Sequence, residues 1–531
     1  MISCRYFFHV GVPVTHDGNN HLIRFANYKI AVRELQIPPR IAPNLVNRYG
    51  YPVFNYNYPL ANILSLPFSI LNFHYELTFK IIFSLSVFFA FAGANSFLRM
   101  KKFSKNARIF SLLVFALNPY IFTSIIFRGN IGEVMAWGIL PWIFYFIERI
   151  KFSKVFLEKN LLLLTMFLAG LLLSHNITAF FACILIGFYL IFNYWGNLLA
   201  FKKFALSFAW AFAISLWFWL PAIFEKNLIT LDNVDLTLNY YKHFPILSQL
   251  LRLPIFFGYS YWGNVDSMSL GLGAIQLAVF FMAIIYLLKN KAEKNLVFFI
   301  ALFVLFLGQL SFSKPLYDLL PFADFIQFPW RLALLFSIVL LPISALIFEK
   351  LNKNWRIVFF VIIFFQLLQF LNIKPIDYRH KNKIDYDADA GTTSVNQENM
   401  PKSFAFPYFE AKQPPIFILS GAGEVEVKDF YGSSRHYSLD LKERSVIVES
   451  TAFFQGWETK SNGKIVKYLD DNTIKGRIAY ELEAGAYEIS TRFTQKTWPR
   501  LIGNSISAIA LLIFSVTSFS FWQKDRRNKK R

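Results

Sequence analysis

The first 373 residues alternate between long apolar runs and short basic segments. A helix that crosses a bilayer needs about 20 mostly apolar residues, and runs of this kind predict about eleven full spans. The predicted spans are 77–98, 107–127, 131–149, 160–175, 177–195, 204–224, 271–288, 295–312, 329–349, 355–373 and 500–522. The pattern therefore predicts a mainly α fold, a polytopic transmembrane helical bundle.

Basic residues cluster in the short segments that join these runs, which is the positive-inside pattern of membrane proteins. We predict that the clusters are cytoplasmic; they lie at 101–108, 149–159, 202–203, 289–294, 350–356 and 524–531. One helical hairpin separates each cluster from the next, so segment 374–499 is predicted to be extracytoplasmic. Segment 59–74 is apolar but short and contains Pro59 and Pro67, so we expect it to lie in the interface or to re-enter.

The net charge of +21 arises largely from these clusters. A basic chain can bind nucleic acid, but here the positive charge lies beside apolar spans, so no nucleic-acid partner is predicted. Only 16% of the residues are charged, against about 25% in soluble proteins, which indicates that a lipid bilayer surrounds much of the chain. The two cysteines, Cys4 and Cys183, lie in apolar stretches and offer no disulfide framework.

These boundaries divide the chain into regions of different composition. Residues 1–13 are expected to be part of a first membrane segment that is truncated, because about 13 apolar residues do not span a bilayer. The other predicted regions are an outer loop with interfacial helices (14–76), the transmembrane bundle (77–373), an extracytoplasmic β-rich domain (374–499), a C-terminal transmembrane helix (500–522) and a basic cytoplasmic tail (523–531). The sequence thus predicts a multi-pass protein of the cell membrane.

Between residues 378 and 498 the apolar runs give way to the period-two alternation of half-buried strands. The alternating stretches are 424–430, 445–450 and 476–493. Asn462-Gly463 is a hairpin signal, and 484–486 is a second candidate turn. We predict a small antiparallel β-sandwich. Two roles are open for Trp457, which either fills the core or stacks on a sugar.

Unusual polar residues collect at the predicted outer ends of the spans. Asp17 and His21 lie near one another if a helix begins at Gly18, and Asp is also a common N-cap. His16, Asp17 and His21 are three candidate metal ligands without a fourth, so a divalent metal cofactor stays open and no metal site is assigned. We predict that Asp17 is catalytic and that His21 binds substrate.

Four further residues are predicted to bind substrate: Arg128, Glu133, His175 and Arg331. Charges at this depth in a membrane are expensive and are usually paired or functional. Arg128 and Glu133 form either an ion pair or part of a substrate site. His175 is either a turn residue or a donor to a phosphate or to an acceptor. Arg331 is either a bidentate phosphate ligand or a side chain that extends to the interface.

Several ordered motifs share one family resemblance. They are HDGNNHLIRF (16–25), PPRIAP (38–43), YGYPVFNYNYPL (49–60), RGNIGEVMAWGILPW (128–142), LLLSHNITAF (171–180) and QFPWRL (327–332). Together they resemble the membrane family labelled 6-pyruvoyl-tetrahydropterin synthase-related, over most of residues 15–335. FQGWETKSNGK (454–464) is similar to the outer β-domain that often follows in such proteins. Soluble pterin synthases are small αβ enzymes with a three-His zinc site, which this sequence does not show, so no pterin site is expected.

The predicted architecture also resembles the GT-C class of membrane glycosyltransferases. These proteins have a first helix followed by a large outer loop with an acidic residue, use polyprenyl-phosphate sugars and act on the outer face. The resemblance implies that Asp17 takes the acidic position, although this chain lacks a complete first helix. It further implies three partners: the lipid bilayer, a polyprenyl-phosphate sugar, and a glycan or protein acceptor.

Two functions follow from these observations. The first is a membrane glycosyltransferase, in which a carboxylate takes the proton of the acceptor and cations stabilise the leaving phosphate. The alternative is a non-enzymatic membrane scaffold or a transporter of cell-envelope polymer. Transporters commonly show internal repeats and polar residues at mid-bilayer, and this sequence shows neither. The enzyme is therefore the favoured hypothesis.

Overall fold

The computed structural model describes residues 2–151, 153–233, 239–260, 267–290, 296–320, 323–394, 397–404, 414–470 and 474–530. Within these ranges the chain forms a helical bundle, a two-sheet β domain and one last long helix. The helices are α1 Gly18–Arg33, α2 Leu60–Ile70, α3 Tyr75–Met100, α4 Lys105–Ala116, α5 Pro119–Thr123, α6 Ile131–Lys151, α7 Lys159–Ser174, α8 Asn176–Tyr194, α9 Leu198–Phe224, α10 Leu247–Leu250, α11 Ala274–Lys289, α12 Leu296–Leu307, α13 Lys314–Asp318, α14 Leu332–Lys350, α15 Lys353–Asn372, α16 Lys383–Ala388 and α17 Trp498–Lys530.

Each predicted span coincides with helix, but the helices differ in length. In the described part of the chain, seven are by themselves long and apolar enough to cross a membrane: α3, α6, α8, α9, α14, α15 and α17. Two more candidate spans are helix pairs with a bend, 44° between α4 and α5 and 104° between α12 and α13. Helices α7 and α11 have 16 residues each. The helical bundle with apolar spans is confirmed, whereas eleven full spans remain a prediction.

The apolar run 107–127 contains a helix break that its hydropathy does not reveal. Asn118 ends one helix and begins another, because its side-chain oxygen accepts the backbone N–H of Ile121 at 3.0 Å. Pro119 takes the first helical position, where a backbone N–H would have no partner within the helix, so its absence costs no hydrogen bond. The new helix ends as a π-helical turn, Ser124–Arg128, directly before α6. The break therefore places Arg128 three residues before Ile131, where α6 begins.

Small residues allow the long helices to pack closely. A Cβ added at Gly138 of α6 would lie 2.6 Å from the carbonyl oxygen of Ser86 in α3. A Cβ added at Gly503 of α17 would likewise lie 2.6 Å from the carbonyl oxygen of Leu216 in α9. Close backbone approach at small residues is a common basis of helix association in membranes. The last helix is therefore part of the bundle.

Helix α1 is buried on most of its surface by other parts of the chain. Eleven of its 16 residues are buried, among them Arg24 and Lys29. The segment after α15 covers it: Lys29 Nζ lies 2.9 Å from Asp387 Oδ1, and Arg24 Nη2 donates to the Thr393 carbonyl at 2.6 Å. Polar residues of α1 thus pair with a part of the chain that is remote in sequence.

The remaining N-terminal elements are short. Residues Ile2–Phe8 form a 3₁₀ helix, and β1, Val12–Pro13, pairs antiparallel with β2, Tyr378–Arg379. Helix α2 has 11 residues, which is too short to span a bilayer. Its length agrees with the expectation that segment 59–74 lies in the interface or re-enters.

The β domain consists of two antiparallel sheets. Its strands are β3 Ile416–Ser420, β4 Gly423–Phe430, β5 Ser434–Leu441, β6 Ser445–Ala452, β7 Trp457–Ser461, β8 Lys464–Ile465, β9 Arg477–Leu482 and β10 Gly485–Phe493. The sheet orders are β4-β5-β10-β7-β8 and β3-β6-β9. Ile447 and Tyr480 of the second sheet pack against Tyr437 and Ile489 of the first, as in a sandwich.

The predicted turn at Asn462-Gly463 joins β7 to β8, and both residues have positive φ, 46° and 83°. Trp457 is 6% exposed and its ring centroid lies 5.3 Å from that of Phe493, so it fills the core. The sequence did not predict β5, because the buried Arg435 occupies an inward position and interrupts the apolar alternation.

Candidate functional site

The four polar residues predicted at the ends of spans meet around the N-terminus of α6. Arg128 ends the π-helical turn, Glu133 lies in the first turn of α6, and His175 joins α7 to α8. Arg331 ends a 3₁₀ turn, Pro329–Arg331, that leads into α14. All four side chains are buried. We call these four residues the charge cluster.

Glu133 is the centre of the charge cluster and has no exposed surface. Arg128 donates to both of its carboxylate oxygens, from Nη1 to Oε2 at 2.6 Å and from Nη2 to Oε1 at 3.0 Å. The hydroxyl of Tyr120 donates to Oε2 at 2.6 Å. Arg331 Nε lies 3.1 Å and His175 Nε2 lies 3.8 Å from Oε1. The Arg128–Glu133 ion pair therefore forms, and two guanidinium groups share one carboxylate, which leaves one positive charge in excess.

Two glycines of the RGNIGEV motif allow other backbone segments to lie close to the charge cluster. Gly129 has φ +64°, and a Cβ there would lie 2.3 Å from Thr15 Oγ1. A Cβ at Gly132 would lie 2.6 Å from the carbonyl oxygen of Ser174, next to His175. Because Gly129 has no side chain, the segment before α1 can lie against it. Gly132 leaves room for the turn between α7 and α8 in the same way.

His175 serves both its own helix and the charge cluster. Its Nδ1 accepts the backbone N–H of Thr178 at 3.2 Å and caps α8. Its Nε2 faces Glu133, and its ring centroid lies 5.0 Å from that of Tyr58. His175 therefore lies in the turn between α7 and α8 and caps α8, and its role in substrate binding stays a prediction. The cap also fixes the direction of the other ring nitrogen toward the cluster.

Arg331 is only partly satisfied within the charge cluster. Its Nε is close to Glu133 Oε1, but that nitrogen has no hydrogen bond of acceptable geometry in the described part of the chain. Its Nη1 makes one long donation, 3.4 Å to the carbonyl oxygen of Ile326. The side chain is buried within the protein. Its guanidinium therefore retains donors for an anion.

Asp17 is held beside the charge cluster by its backbone, whose N–H donates to the Arg128 carbonyl at 2.8 Å. Asp17 occupies the N-cap position of α1, but its carboxylate makes no capping hydrogen bond. Thr15 Oγ1 accepts the Gly18 N–H instead, at 3.0 Å. The structure therefore does not support a capping role, and it leaves the half-buried carboxylate without a hydrogen bond to the described residues.

The environment of Asp17 alters its acidity. Burial raises the pKa of this carboxyl group, and the guanidinium groups of Arg128, Arg24 and Arg331 offset only part of that effect. A carboxylate with a raised pKa is a better proton acceptor than an exposed one when it is ionised. Asp17 thus has a raised pKa and a carboxylate without a hydrogen bond to the described residues.

Two histidines beside Asp17 have unpaired nitrogens. The Nε2 atoms of His16 and His21 are buried and have no hydrogen-bond partner among the residues that the structure describes. Burial, with a contribution from Arg128, lowers the pKa of His16 to about 4, and burial lowers that of His21 well below its usual range. Both rings are therefore neutral near pH 7. Buried polar atoms normally have partners, so these nitrogens are open to a hydrogen bond with a water molecule or a ligand.

Three residues that sequence reasoning did not identify complete the site: Tyr58, Tyr120 and Arg24. Tyr58 lies between His21 and His175, with ring centroids 6.0 Å and 5.0 Å away. The only signal for Tyr58 was the Tyr-rich segment that resembles a membrane interface. Tyr120 lies inside an apolar run, and Arg24 lies one turn after His21. Local sequence gives no indication that these side chains turn toward Glu133 and Asp17.

Two cavities are lined by residues that neighbour site residues. The first, of about 420 Å³, is lined by apolar residues of α8, α12, α13 and α14, among them Leu332, which directly follows Arg331. The second, of about 540 Å³, is lined by Phe257 and Asn372 among others, and Phe257 also packs against His16 at 5.0 Å between ring centroids. The apolar groove therefore reaches the residue after Arg331, and the more polar, aromatic cleft reaches the ring that packs against His16.

A helical bundle with apolar spans, a charge cluster buried at the start of α6 and a β domain are the features of a membrane protein. The chain belongs to the 6-pyruvoyl-tetrahydropterin synthase related domain family, a family of membrane proteins, whose profile matches residues 54–374. The charge cluster lies within the matched range, whereas Asp17 and His21 precede it.

Among solved structures, the chain is similar to the arabinofuranosyltransferase AftD from Mycobacteria, determined by single-particle cryo-EM. The sequence identity is 16% and the TM-score is 0.44. The alignment covers 70% of this chain and 26% of that chain, so this chain spans about a quarter of the length of AftD. No curated protein matches the sequence.

Proposed function

We propose that the protein is a membrane glycosyltransferase that transfers a sugar from a polyprenyl-phosphate donor to a cell-envelope acceptor. One observation carries the proposal: the available carboxylate of Asp17 lies beside a buried charge cluster that has one positive charge in excess. Inverting transfer needs a base for the acceptor hydroxyl and cations for the leaving phosphate, and the two features supply these groups side by side.

In the proposed reaction, the acceptor oxygen bonds to the anomeric carbon of the sugar as the bond between that carbon and the phosphate oxygen breaks. Asp17 takes the proton of the acceptor hydroxyl. Arg331 binds the departing polyprenyl phosphate, because its guanidinium retains unpaired donors. His175 and His21 face the same region and supply further polar contacts.

Arg128 and Glu133 have a supporting part in this mechanism. The bidentate ion pair fixes the Arg128 side chain, so this residue acts on the phosphate mainly through its charge. Glu133 lies next to both Arg128 and Arg331, and its negative charge reduces the repulsion between these two buried guanidinium groups. The carboxylate thereby orients the cations before substrate binds.

The apolar groove next to Arg331 supports a donor with a lipid tail. Leu332 and Leu335 line the groove one to four positions after Arg331, so a tail in the groove would leave its phosphate near the guanidinium. The groove is lined by side chains of α8, α12 and α14, such as Phe181, Phe188 and Val304. A tail of apolar isoprene units is compatible with such walls, and a donor of this kind reaches the groove laterally through the bilayer.

The orientation is part of the same proposal: the charge cluster and the β domain (374–499) are extracytoplasmic, and the basic segments are cytoplasmic. Glu133 lies in the first turn of α6, whereas Arg149 and Lys151 lie in its last turn. At 1.5 Å per residue the helix is about 30 Å long, which equals the thickness of a bilayer core. Along α6, Glu133 and the basic residues are thus about one bilayer core apart, which supports the proposed orientation.

The test is transfer of a radiolabelled sugar from a polyprenyl-phosphate donor by purified variants with matched thermal stability. We expect Asp17→Asn to lower transfer on the order of a hundredfold, because the amide cannot accept the proton. Asp318→Asn, which changes a partly exposed aspartate of α13, is the control and should retain activity. Full activity of Asp17→Asn would reject the catalytic role and favour the scaffold or transporter.

A further inference from the structure

A second group of polar side chains lies where α3 begins. His74 is the N-cap of α3, Glu76 is in its first turn, and His380 follows β2. One potential ligand atom from each of these three side chains lies within 4.8 Å of the others. Among the residues that the structure describes, no other set of three His, Cys, Asp or Glu side chains brings its ligand atoms this close together. The candidate ligands His16, Asp17 and His21 do not form such a group.

The backbone brings these residues together from two distant parts of the sequence. The pairing of β1 with β2 positions the chain just before His380. Glu76 then holds that chain, because its Oε1 accepts the backbone N–H of Lys381 and the hydroxyl of Tyr386, both at 2.9 Å. The other oxygen, Oε2, lies 2.8 Å from His380 Nδ1. The group therefore joins the start of α3 to the segment that leads into the β domain.

The distances around Glu76 Oε2 are suited to a metal ion. His380 Nδ1 lies 2.8 Å from this oxygen and His74 Nδ1 lies 3.9 Å from it. A tetrahedral zinc ion with ligands at about 2.0–2.1 Å holds those ligands about 3.4 Å apart, between the two observed values. His74 Nδ1 is occupied only by a 3.3 Å contact from the Glu76 backbone N–H, at the long limit for such a bond.

We propose that His74, Glu76 and His380 bind a divalent transition metal of the zinc type. Each histidine would contribute Nδ1 and Glu76 would contribute Oε2, a nitrogen and oxygen ligand set that suits zinc, with water in the fourth position. The ion can enter from solvent, since the His380 side chain is 53% exposed and that of His74 is 31% exposed.

The structural consequence is a clamp between the helical bundle and the segment that covers α1. The same segment pairs with Lys29 through Asp387. Helix α3 also reaches α1, because Phe79, one turn after Glu76, lies 6.4 Å from His21 between ring centroids. Bound metal would therefore stabilise the contacts that position α1, without taking part in the chemistry at Asp17.

The experiment measures Zn²⁺ binding to the full-length protein in detergent, after removal of metal, by competition with a chromophoric chelator. We expect one Zn²⁺ per chain, and we expect His74→Ala and His380→Ala each to weaken affinity by at least about tenfold. His9→Ala is the matched control, because His9 is an exposed histidine that stacks on Tyr378, two residues before His380.

A second variant separates metal binding from an ordinary ion pair. His380→Cys should retain Zn²⁺ binding, because a thiolate is also a zinc ligand, whereas a cysteine cannot replace the imidazole in an ion pair with Glu76. Absence of Zn²⁺ binding in the unmodified protein would overturn the proposal. Unchanged binding in His74→Ala and His380→Ala would overturn it as well. Neither outcome depends on glycosyl transfer.

Discussion

At the scale of single residues, the charge cluster depends on one carboxylate that neutralises part of two buried guanidinium groups. Removing a partner of a buried ion pair is costly because the remaining charge has no water to solvate it. We therefore expect Glu133→Gln to destabilise the protein by about 3–5 kcal/mol. Thermal unfolding in detergent measures this effect.

The control for Glu133 is Glu488→Gln, which removes an exposed ion pair with Lys428. Exposed pairs are screened by water and salt, so this variant should unfold at the same temperature as the parent protein. Equal stability of the Glu133 and Glu488 variants would contradict the view that Glu133 compensates the two arginines.

Gly129 is a second residue whose role follows from the space around it. A Cβ there would lie 2.3 Å from Thr15 Oγ1, and φ is +64°. We expect Gly129→Ala to cost about 1–3 kcal/mol and to displace the backbone that holds Asp17. Gly187→Ala in α8 is the matched control, because a Cβ there meets nothing within 4 Å. Unfolding midpoints that fall equally in both variants would argue against this role.

The acidity of Asp17 predicts a pH dependence of transfer. Burial raises the pKa of this carboxyl group above the usual aspartate value of about 3.9. A general base must be ionised, so activity should fall as pH is lowered through the raised pKa and should reach a plateau above it. A profile of kcat/KM against pH measures the midpoint. A midpoint at or below the ordinary aspartate range would contradict the assignment.

At the scale of elements, close packing of α17 on α9 fixes the end of the β domain to the bundle. A Cβ at Gly503 would lie 2.6 Å from the Leu216 carbonyl. We expect Gly503→Val to separate the two helices and to cost about 1–3 kcal/mol, as other overpacked contacts do. The measurement is the unfolding midpoint, with Gly187→Val as the control for a valine in a helix that has room for it. An unchanged midpoint in Gly503→Val would show that the contact is not tight.

At the scale of the whole molecule, the proposed topology separates the β domain from the basic segments by the bilayer. In a chain with Cys4 and Cys183 replaced by serine, a membrane-impermeant maleimide applied from outside should label a cysteine at Lys464. It should not label a cysteine at Lys202 until the membrane is permeabilised. Both positions are exposed, so access depends on the side of the membrane. The reverse pattern would refute the orientation.

The sequence by itself determined the bundle, because the bilayer imposes length and apolarity on each spanning segment separately. The runs at 77–98 and 355–373, for example, coincide with α3 and α15. Strand alternation and the Asn462-Gly463 turn are equally local, and they predicted part of the β domain. Local patterns failed where a polar residue holds an inward position, as at Arg435, or where a side chain begins a new helix, as at Asn118.

Only the tertiary structure decided which polar residues meet. Sequence identified Arg128, Glu133, His175 and Arg331 as expensive charges at helix ends, but it left ion pairing, capping and snorkelling open for them. The structure shows the ion pair of Arg128 with Glu133 and the helix cap made by His175. The position of a buried charge is fixed by its partners, and the partners here come from separate elements of the chain. Apolar length is a property of a segment, whereas charge compensation in a low-dielectric interior is a property of the assembled chain.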